Sequence, residues 1–184
     1  SPIPIAIPPV TPDGVEKLGF SWLGRGEAIL GLPNSVLLMV ILFVFAHLLM
    51  TRTTIGRYIY AVGGNPEAAR LSGVPVKWIL VFVYTLCGIL AGLGGVMEAS
   101  LHVTASPKAG FMLELQVIAA VVVGGTSLAG GQGRIFGTLI GALIIGVIRN
   151  GMNLTGVEAH MQSVVYGVVI LIAVLVDQLK AKLR

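Results

Sequence analysis

Between two long apolar stretches the chain reads Gly63-Gly64-Asn65-Pro66-Glu67-Ala68-Ala69-Arg70-Leu71-Ser72-Gly73. Asn65 can cap a helix with its side-chain oxygen, and Pro66 suits the first helical position because it lacks an amide proton. Glu67 places a negative charge at the positive end of the helix dipole. Gly73 and the following Pro75 favour termination of the helix. The segment therefore predicts a rigid helix of about two turns between the two apolar stretches.

The composition is that of a membrane protein. Of the 184 residues, 55% are hydrophobic and only 11% are charged, and the mean hydropathy is +0.94. A soluble domain carries about 25% charged residues, so these values indicate an integral membrane protein. The net charge of +4 does not predict a nucleic-acid partner, because the basic residues of a membrane protein mainly report which side of the membrane each loop faces. The single Cys87 excludes an internal disulfide, and no ligand spacing predicts a metal site or a cofactor.

Five apolar windows predict the membrane segments. They cover residues 32–50, 78–99, 109–123, 135–152 and 161–176. A span needs about 20 residues, so the third window is short. It either borrows residues 126–128 to cross or forms a broken or re-entrant segment, which is tolerated where it lines a cavity. The expected fold is an all-α integral membrane protein, a polytopic helical bundle of about five membrane segments.

The two ends of the chain differ in composition. Residues 1–31 are rich in proline and glycine and are expected to form an extracytoplasmic loop with extended character. Residues 32–184 are expected to form a transmembrane domain with a cytoplasmic helix at 65–73. The start at Ser1, without an initiator methionine or a signal-peptide pattern, predicts part of a longer protein.

Basic residues predict the orientation, because lysine and arginine are enriched in cytoplasmic loops. If all five segments cross, one side holds Arg52, Arg57, Arg70, Lys77, Arg134, Lys180, Lys182 and Arg184. The other side holds Lys17, Arg25, Lys108 and Arg149. The helix at 65–73 is therefore expected in the cytoplasm, where a small rigid helix suggests docking of another protein. The C-terminus is expected on the same side, unless the third segment is re-entrant.

Small residues recur at intervals of four: Gly88 and Gly92, Ala91 and Gly95, and Gly133, Gly137 and Gly141. This spacing lets helix backbones approach closely in lipid. Helix-packing roles are predicted for Gly88, Gly92, Gly95, Gly133, Gly137 and Gly141. Ordinary packing and sliding during gating are both open interpretations. The glycine-rich stretch 124–133 lacks the Lys-Ser/Thr ending of a phosphate-binding loop, so it is interpreted as a flexible turn between membrane helices.

Few polar residues lie in the apolar windows, where a charge costs about 2.5–3.5 kcal/mol on insertion scales. Candidates for facing a polar cavity are Glu114, Gln116, Asn150 and Asn153. Arg149 is expected to snorkel to the interface, with pairing to Glu114 or Glu158 as the alternative. His47 is interpreted as a packing residue rather than a proton relay. No arrangement of side chains predicts catalysis.

Several motifs occur in one order along residues 36–180. The first is Thr54-Ile55-Gly56-Arg57-Tyr58-Ile59-Tyr60-Ala61-Val62, which continues into the capped segment that ends at Gly73-Val74. The others are Glu114-Leu115, Ile118-Ala119-Ala120-Val121-Val122-Val123-Gly124-Gly125-Thr126-Ser127-Leu128-Ala129-Gly130-Gly131, Gly137-Thr138-Leu139-Ile140-Gly141 and Arg149-Asn150-Gly151-Met152-Asn153-Leu154. Together they resemble bacterial ABC importer permeases of the ribose/xylose/arabinose/galactose type, which are related to branched-chain amino-acid permeases. Full members are nearly twice this length, so the resemblance implies a C-terminal portion.

The resemblance implies a multi-pass permease subunit of the bacterial cytoplasmic (inner) membrane. Its partners would be cytoplasmic ATPase subunits that hydrolyse ATP, a second permease copy, identical or paralogous, a periplasmic sugar-binding protein and membrane lipid. The ATPase-coupling helix would comprise Asn65, Pro66, Glu67, Ala68, Ala69, Arg70, Leu71, Ser72 and Gly73. The Glu-Ala-Ala…Gly spacing matches importer permeases more widely, although the Ile-x-Leu-Pro that often follows is absent. The polar cavity residues would line the translocation path, and the chain itself would not be an enzyme.

Three rival functions stay open. A branched-chain amino-acid permease shares the architecture and would differ in its substrate. An ion-coupled secondary transporter usually has discontinuous helices with midplane ion ligands, and few carboxylates lie within the spans here. A structural membrane scaffold would not need a capped cytoplasmic helix.

Overall fold

The computed structural model describes residues 5–6, 20–29, 32–102, 104–105, 107 and 109–182. Within these ranges the chain forms eight helices and four short strands. The helices are α1 (Phe20–Arg25), α2 (Asn34–Arg52), α3 (Thr54–Gly64), α4 (Pro66–Leu71), α5 (Val76–His102), α6 (Leu113–Val123), α7 (Ile135–Leu154) and α8 (Ala159–Lys182). The strands are β1 (Ile5–Ala6), β2 (Glu27–Ile29), β3 (Leu32–Pro33) and β4 (Thr104–Ala105). The predicted helical membrane fold is confirmed.

Each of the five predicted windows corresponds to a helix. α2, α5 and α7 have 19, 27 and 20 residues and are long and apolar enough to cross a membrane. α8 contains a shorter apolar stretch, His160–Val176. The third window yields only the 11 residues of α6, because residues 109–112 form turns and Met112 has a left-handed φ of 61°.

Large apolar side chains lie on the outer surface of the long helices. In α5, the side chains of Trp78 and Tyr84 are 74% and 75% exposed. Water-soluble proteins rarely expose large contiguous apolar surfaces, whereas lipid tails are as apolar as leucine and solvate them. The exposed surface therefore agrees with helices embedded in lipid.

The chain divides into two compact units. The first comprises Ser1–Val44 and Leu80–Phe111, and the second comprises Phe45–Ile79 and Met112–Arg184. In the first unit β1 pairs antiparallel with β4, and β2 pairs antiparallel with β3. β1 precedes the first long helix and β4 follows α5, and both segments are predicted to face outside. Their direct pairing is what a location on one side of the membrane requires.

α1 corrects the extended loop that the sequence predicts before the first span. Gly24 is buried in α1, and a Cβ on it would lie 2.7 Å from the amide nitrogen of Leu101. Asn34 Nδ2 donates to the carbonyl oxygen of Trp22 at 2.7 Å. A six-residue helix is unstable alone, so these tertiary contacts, which the local pattern does not reveal, stabilise α1.

The second unit has its core where α6 packs against α7 and α8. The buried residues are Ala119 and Ala120 of α6, Ile145 of α7 and Tyr166 of α8. Small side chains on α6 let the three backbones approach closely.

The six glycines with predicted packing roles have different surroundings. A Cβ on Gly141 would collide with the carbonyl oxygen of Ala120, and one on Gly137 would collide with that of Gly124. These two glycines lie where α7 contacts α6, and Gly133 lies against the Thr126 side chain. A Cβ would meet nothing within 4 Å, among the residues that the structure describes, at Gly88, Gly92 and Gly95. Packing at those three positions stays a prediction.

α3 is an element that the sequence reading did not predict. Thr53 precedes it, donates through Oγ1 to the carbonyl oxygen of Leu49 at 2.6 Å, and accepts from the Gly56 amide at 3.1 Å. This double role ends α2 and caps α3 at one residue. Nearby, His47 packs edge-on against Phe136 with ring centroids 5.0 Å apart, which confirms its packing role.

Candidate docking helix and polar cluster

The N-terminus of α4 is capped as the sequence predicts. The Oδ1 atom of Asn65 accepts hydrogen bonds from the amides of Glu67 and Ala68, each at 3.0 Å. Pro66 occupies the first helical position, where its missing amide proton costs nothing. Two of the free donors of the first turn are therefore satisfied inside the chain.

The C-terminus of α4 ends in a Schellman motif. The Val74 amide donates to the Ala69 carbonyl, and the Gly73 amide donates to the Arg70 carbonyl, each at 3.0 Å. Gly73 has a φ of 82°, the left-handed conformation that this motif requires. With both ends closed, a helix of only six residues keeps a defined shape on an exposed surface.

The two faces of α4 differ in exposure. Ala69 is only 5% exposed and faces the protein, so its side chain is buried although it belongs to the predicted coupling set. Glu67, Ala68, Arg70 and Leu71 are exposed, and Leu71 reaches 86%. Leu71, the last residue of α4, is therefore an exposed apolar side chain on the outward face of a short helix.

A groove of about 720 Å³ runs beside α4. Its lining comprises Asn65, Pro66, Glu67, Arg70, Val74, Pro75, Val76, Lys77 and Trp78. Both signs of charge and an exposed indole meet in this groove, whereas Leu71 lies outside its lining. The groove and the Leu71 side chain together form the candidate docking surface.

A second group of polar residues lies where α6, α7 and α8 meet, and we call it the polar cluster: Gln116, Arg149, Asn153 and Gln162. Arg149 Nη1 donates to Gln116 Oε1 at 3.4 Å, which links α7 to α6. Gln162 Nε2 donates to Asn153 Oδ1 and to the Val157 carbonyl, each at 2.9 Å, which links α8 to α7.

The polar cluster contains some predicted cavity residues and omits others. Gln116 and Asn153 belong to it, whereas the side chains of Glu114 and Asn150 form no hydrogen bond within the described ranges. Among the described residues no ion pair joins Arg149 to either predicted carboxylate, so the expected alternative of a salt bridge is wrong. The partner of Arg149 is the neutral side-chain amide of Gln116.

Gln162 and Tyr166 are polar residues that the sequence reading missed. Tyr166 is 2% exposed, and its buried hydroxyl has no hydrogen-bond partner within the part of the chain that the structure describes. The two residues are four positions apart, so they share one face of α8. That spacing, at the start of an otherwise apolar window, is the sequence signal that could have identified them.

Known proteins resemble most of the chain. A family model described as branched-chain amino acid transport system / permease component matches residues 9–174. The chain is 55% identical over 161 residues to the ribose import permease protein RbsC of Escherichia coli strain K12, which covers 88% of this chain and 50% of that protein. It is 50% identical over 173 residues to the ribose import permease protein RbsC of Bacillus subtilis strain 168, covering 94% and 53% respectively. It is 44% identical over 169 residues to the probable ABC transporter permease protein YphD of Escherichia coli strain K12, covering 92% and 50%.

No solved structure matches the chain significantly. The chain spans about half the length of the curated relatives that it matches, at 50%, 53% and 50%. The predicted resemblance to ribose-type ABC permeases is confirmed, and the three long apolar helices agree with the predicted bacterial cytoplasmic membrane. Because the family model covers residues 9–174, the chain belongs to the family of permease components of the branched-chain amino acid transport system type.

Proposed function

We propose that this chain belongs to the permease subunit of an ATP-binding-cassette importer for a monosaccharide. Two of the relatives named here are ribose import permeases, at 55% and 50% identity. ATP hydrolysis would take place in separate cytoplasmic subunits, because an ABC ATPase needs a phosphate-binding loop and this sequence contains no Gly-x4-Gly-Lys-Ser/Thr motif. A periplasmic sugar-binding protein delivers the substrate, and a second permease copy completes the path.

The observation that carries this proposal is α4, closed at both ends and exposed along one face. A docking helix must keep its shape when a partner pushes on it. The Asn65 cap and the Gly73 motif provide that shape without help from a long helix. We propose that the exposed face, with Leu71 as its anchor, seats in a groove of the ATPase subunit.

The translocation path is proposed to run beside the polar cluster. At roughly 1.5 Å per residue, the 11 residues of α6 span about 16 Å, which is half of a hydrocarbon core of about 30 Å. If α6 ends near the cytoplasmic face, its first turn lies inside the membrane. Gln116 lies in that first turn and bonds to Arg149 of α7, so it would face a polar path rather than lipid. Glu114 lies two positions earlier, on a different face of α6, and its role in the path stays a prediction.

ATP binding would act on this path through a change between inward and outward access. A two-state mechanism requires that the sugar or the nucleotide bind the two states with different affinity. Specificity would rest with the binding protein, as the resemblance to sugar importers implies.

Crosslinking tests the docking surface. The natural Cys87 is exposed and is first replaced in a Cys87→Ser background. In the permease co-expressed with its ATPase subunit, Leu71→Cys should form a crosslink to the ATPase through a short maleimide reagent. Ala69→Cys is the matched control, because position 69 is buried two residues away. Equal crosslinking from both positions, or from neither, would refute docking through the exposed face.

Substrate class is tested with the reconstituted importer and its binding protein. Ribose uptake driven by ATP is the expected result. Uptake of leucine instead would establish the branched-chain amino-acid alternative, since the matching family model is described by branched-chain amino acid transport. Uptake driven by an ion gradient without ATP would establish a secondary transporter.

A further inference from the structure

The end of α3 lies directly against the loop between α6 and α7, which we call the glycine loop (residues 124–134). A Cβ on Gly63 would lie 2.9 Å from the Gly131 nitrogen, and one on Gly131 would lie 2.7 Å from the Gly64 Cα. A Cβ on Gly130 would collide with the Gly63 carbonyl oxygen. Backbone meets backbone here, and only glycine permits that approach.

The glycine loop connects α6 to α7 as predicted, but it is held by hydrogen bonds rather than open. The Ser127 amide donates to the Gln132 carbonyl at 3.0 Å, and the Gly130 amide donates to the Ser127 carbonyl at 3.2 Å. Gly130 and Gly131 have φ values of 89° and 71°, in the left-handed region. The loop therefore has one defined shape against α3.

Tyr60 provides a second tie between α3 and the glycine loop. Its hydroxyl donates to the Gly133 carbonyl at 2.9 Å. Tyr60 and Gly64 are four residues apart, so the hydrogen bond and the backbone contact lie on one face of α3. The loop cannot slide along α3 without losing both contacts.

The contacts continue in both directions from this point. Asn65 joins α3 to α4, because its amide donates to the Ala61 carbonyl at 3.1 Å while its side chain caps α4. At the start of the loop, a Cβ on Gly124 would lie 2.5 Å from the Gly137 carbonyl oxygen, so α6 and α7 touch there. An unbroken series of backbone contacts thus links α4 to the helices of the polar cluster.

Building on the proposed function, we propose that the end of α3 and the glycine loop form a rigid joint that carries motion of α4 to α6 and α7. Energetic coupling between distant sites travels through packed elements that move together. Flat glycine contacts suit this task, because no side chain lies between the two backbones to rearrange and absorb the motion. Tyr60 and Gly63 are then positioning residues for transport.

A matched pair of variants tests the joint. Gly63→Ala places a Cβ 2.9 Å from a backbone nitrogen, whereas Gly64→Ala places one at 3.7 Å from the nearest atom, an ordinary contact. Both residues lie in the last turn of α3, where alanine favours the helix over glycine. A difference between the two variants therefore reports the contact with the loop and not a change in helix propensity.

The measurement is the amount of ribose transported per ATP hydrolysed by the reconstituted importer. We expect Gly63→Ala to lower this ratio about tenfold, within the usual range of coupling between sites, and Gly64→Ala to leave it unchanged. Tyr60→Phe, which removes only the hydroxyl, should lower the ratio in the same direction. A purely structural role would reduce the yield of the complex and both rates in proportion, without changing the ratio.

The outcomes separate the joint from the proposed function. If the unmodified importer transports ribose and Gly63→Ala matches Gly64→Ala in its ratio, the joint is refuted and the importer stands. A proportional loss of complex, hydrolysis and transport in Gly63→Ala also refutes the joint. If the unmodified permease binds no ATPase subunit, the proposed function itself fails.

Discussion

Asn65 ends one helix and begins the next. Its backbone closes α3 and its side chain caps α4, so the chain changes direction at a single extended residue with φ −157° and ψ 102°. Gly73 ends α4 in a left-handed conformation, and no atom of the described residues lies within 4 Å of the position that a Cβ would take. At this scale the shape of α4 depends on two residues: the Asn65 side chain satisfies the first turn, and Gly73, which has no side chain, allows the turn that closes the last one.

A prediction at the residue scale concerns Gly73. Gly73→Ala should destabilise the end of α4 by about 1 kcal/mol, because a Cβ disfavours the left-handed conformation. Gly73→Asn should cost less, since asparagine tolerates that conformation. Amide hydrogen exchange at Gly73 and Val74 measures the effect. Crowding is not expected to contribute, because a Cβ there meets no atom of the described residues within 4 Å. Equal protection in both variants would contradict the argument from backbone conformation.

At the scale of elements, α6 and α7 meet backbone to backbone at two glycines of α7, beside the buried side chains of Ala119, Ala120 and Ile145. Gly137 and Gly141 face α6, and their four-residue spacing was visible in the sequence. The same spacing in α5 does not lead to packing on any described residue of this chain. The pattern identifies a flat helix face, but only the tertiary structure shows which flat face meets a neighbour.

Substitutions in α7 test that distinction. Gly141→Ala should lower the free energy of unfolding by about 1–3 kcal/mol, because its Cβ would collide with the Ala120 carbonyl oxygen. Gly146→Ala is the control in the same helix, since its Cβ meets no atom within 4 Å in the part of the chain that the structure describes. Thermal unfolding in detergent measures both variants. A control variant as unstable as Gly141→Ala would mean that glycine flexibility, not packing, matters in α7.

At the scale of the whole molecule, two of the basic residues that predict the orientation, Arg70 and Lys77, also line the candidate docking surface. Four basic residues lie in or near α4 in sequence: Arg52, Arg57, Arg70 and Lys77. The Tyr60 hydroxyl bonds to Gly133, so the end of the glycine loop, which includes Arg134, lies against α3. The hydrogen bond therefore agrees with the predicted grouping of these basic residues on one side of the membrane.

A charge reversal tests the docking surface in the intact importer. Glu67→Arg should leave the permease in the membrane but lower ribose uptake about tenfold, because it reverses charge on the docking face and opposes the helix dipole. Glu158→Arg is the control, since it makes the same charge change just before α8, in a segment that follows Arg149 and is predicted on the other side of the membrane. Uptake assays in cells, with immunoblots of the membrane fraction, report both quantities. Normal uptake in Glu67→Arg would exclude a docking role for this residue.

The sequence by itself determined the membrane class, the five apolar segments, the caps of α4 and the family, because these depend on composition, local hydrogen-bonding chemistry and ordered motifs. Only the tertiary structure decided that Ala69 is buried and that Arg149 bonds to Gln116 rather than to a carboxylate. It also decided that α1 and α3 form, and that the glycine loop lies against Gly63. The physical reason is that these features depend on contacts between residues distant in sequence. Local propensity, period and charge carry no information about which surfaces meet.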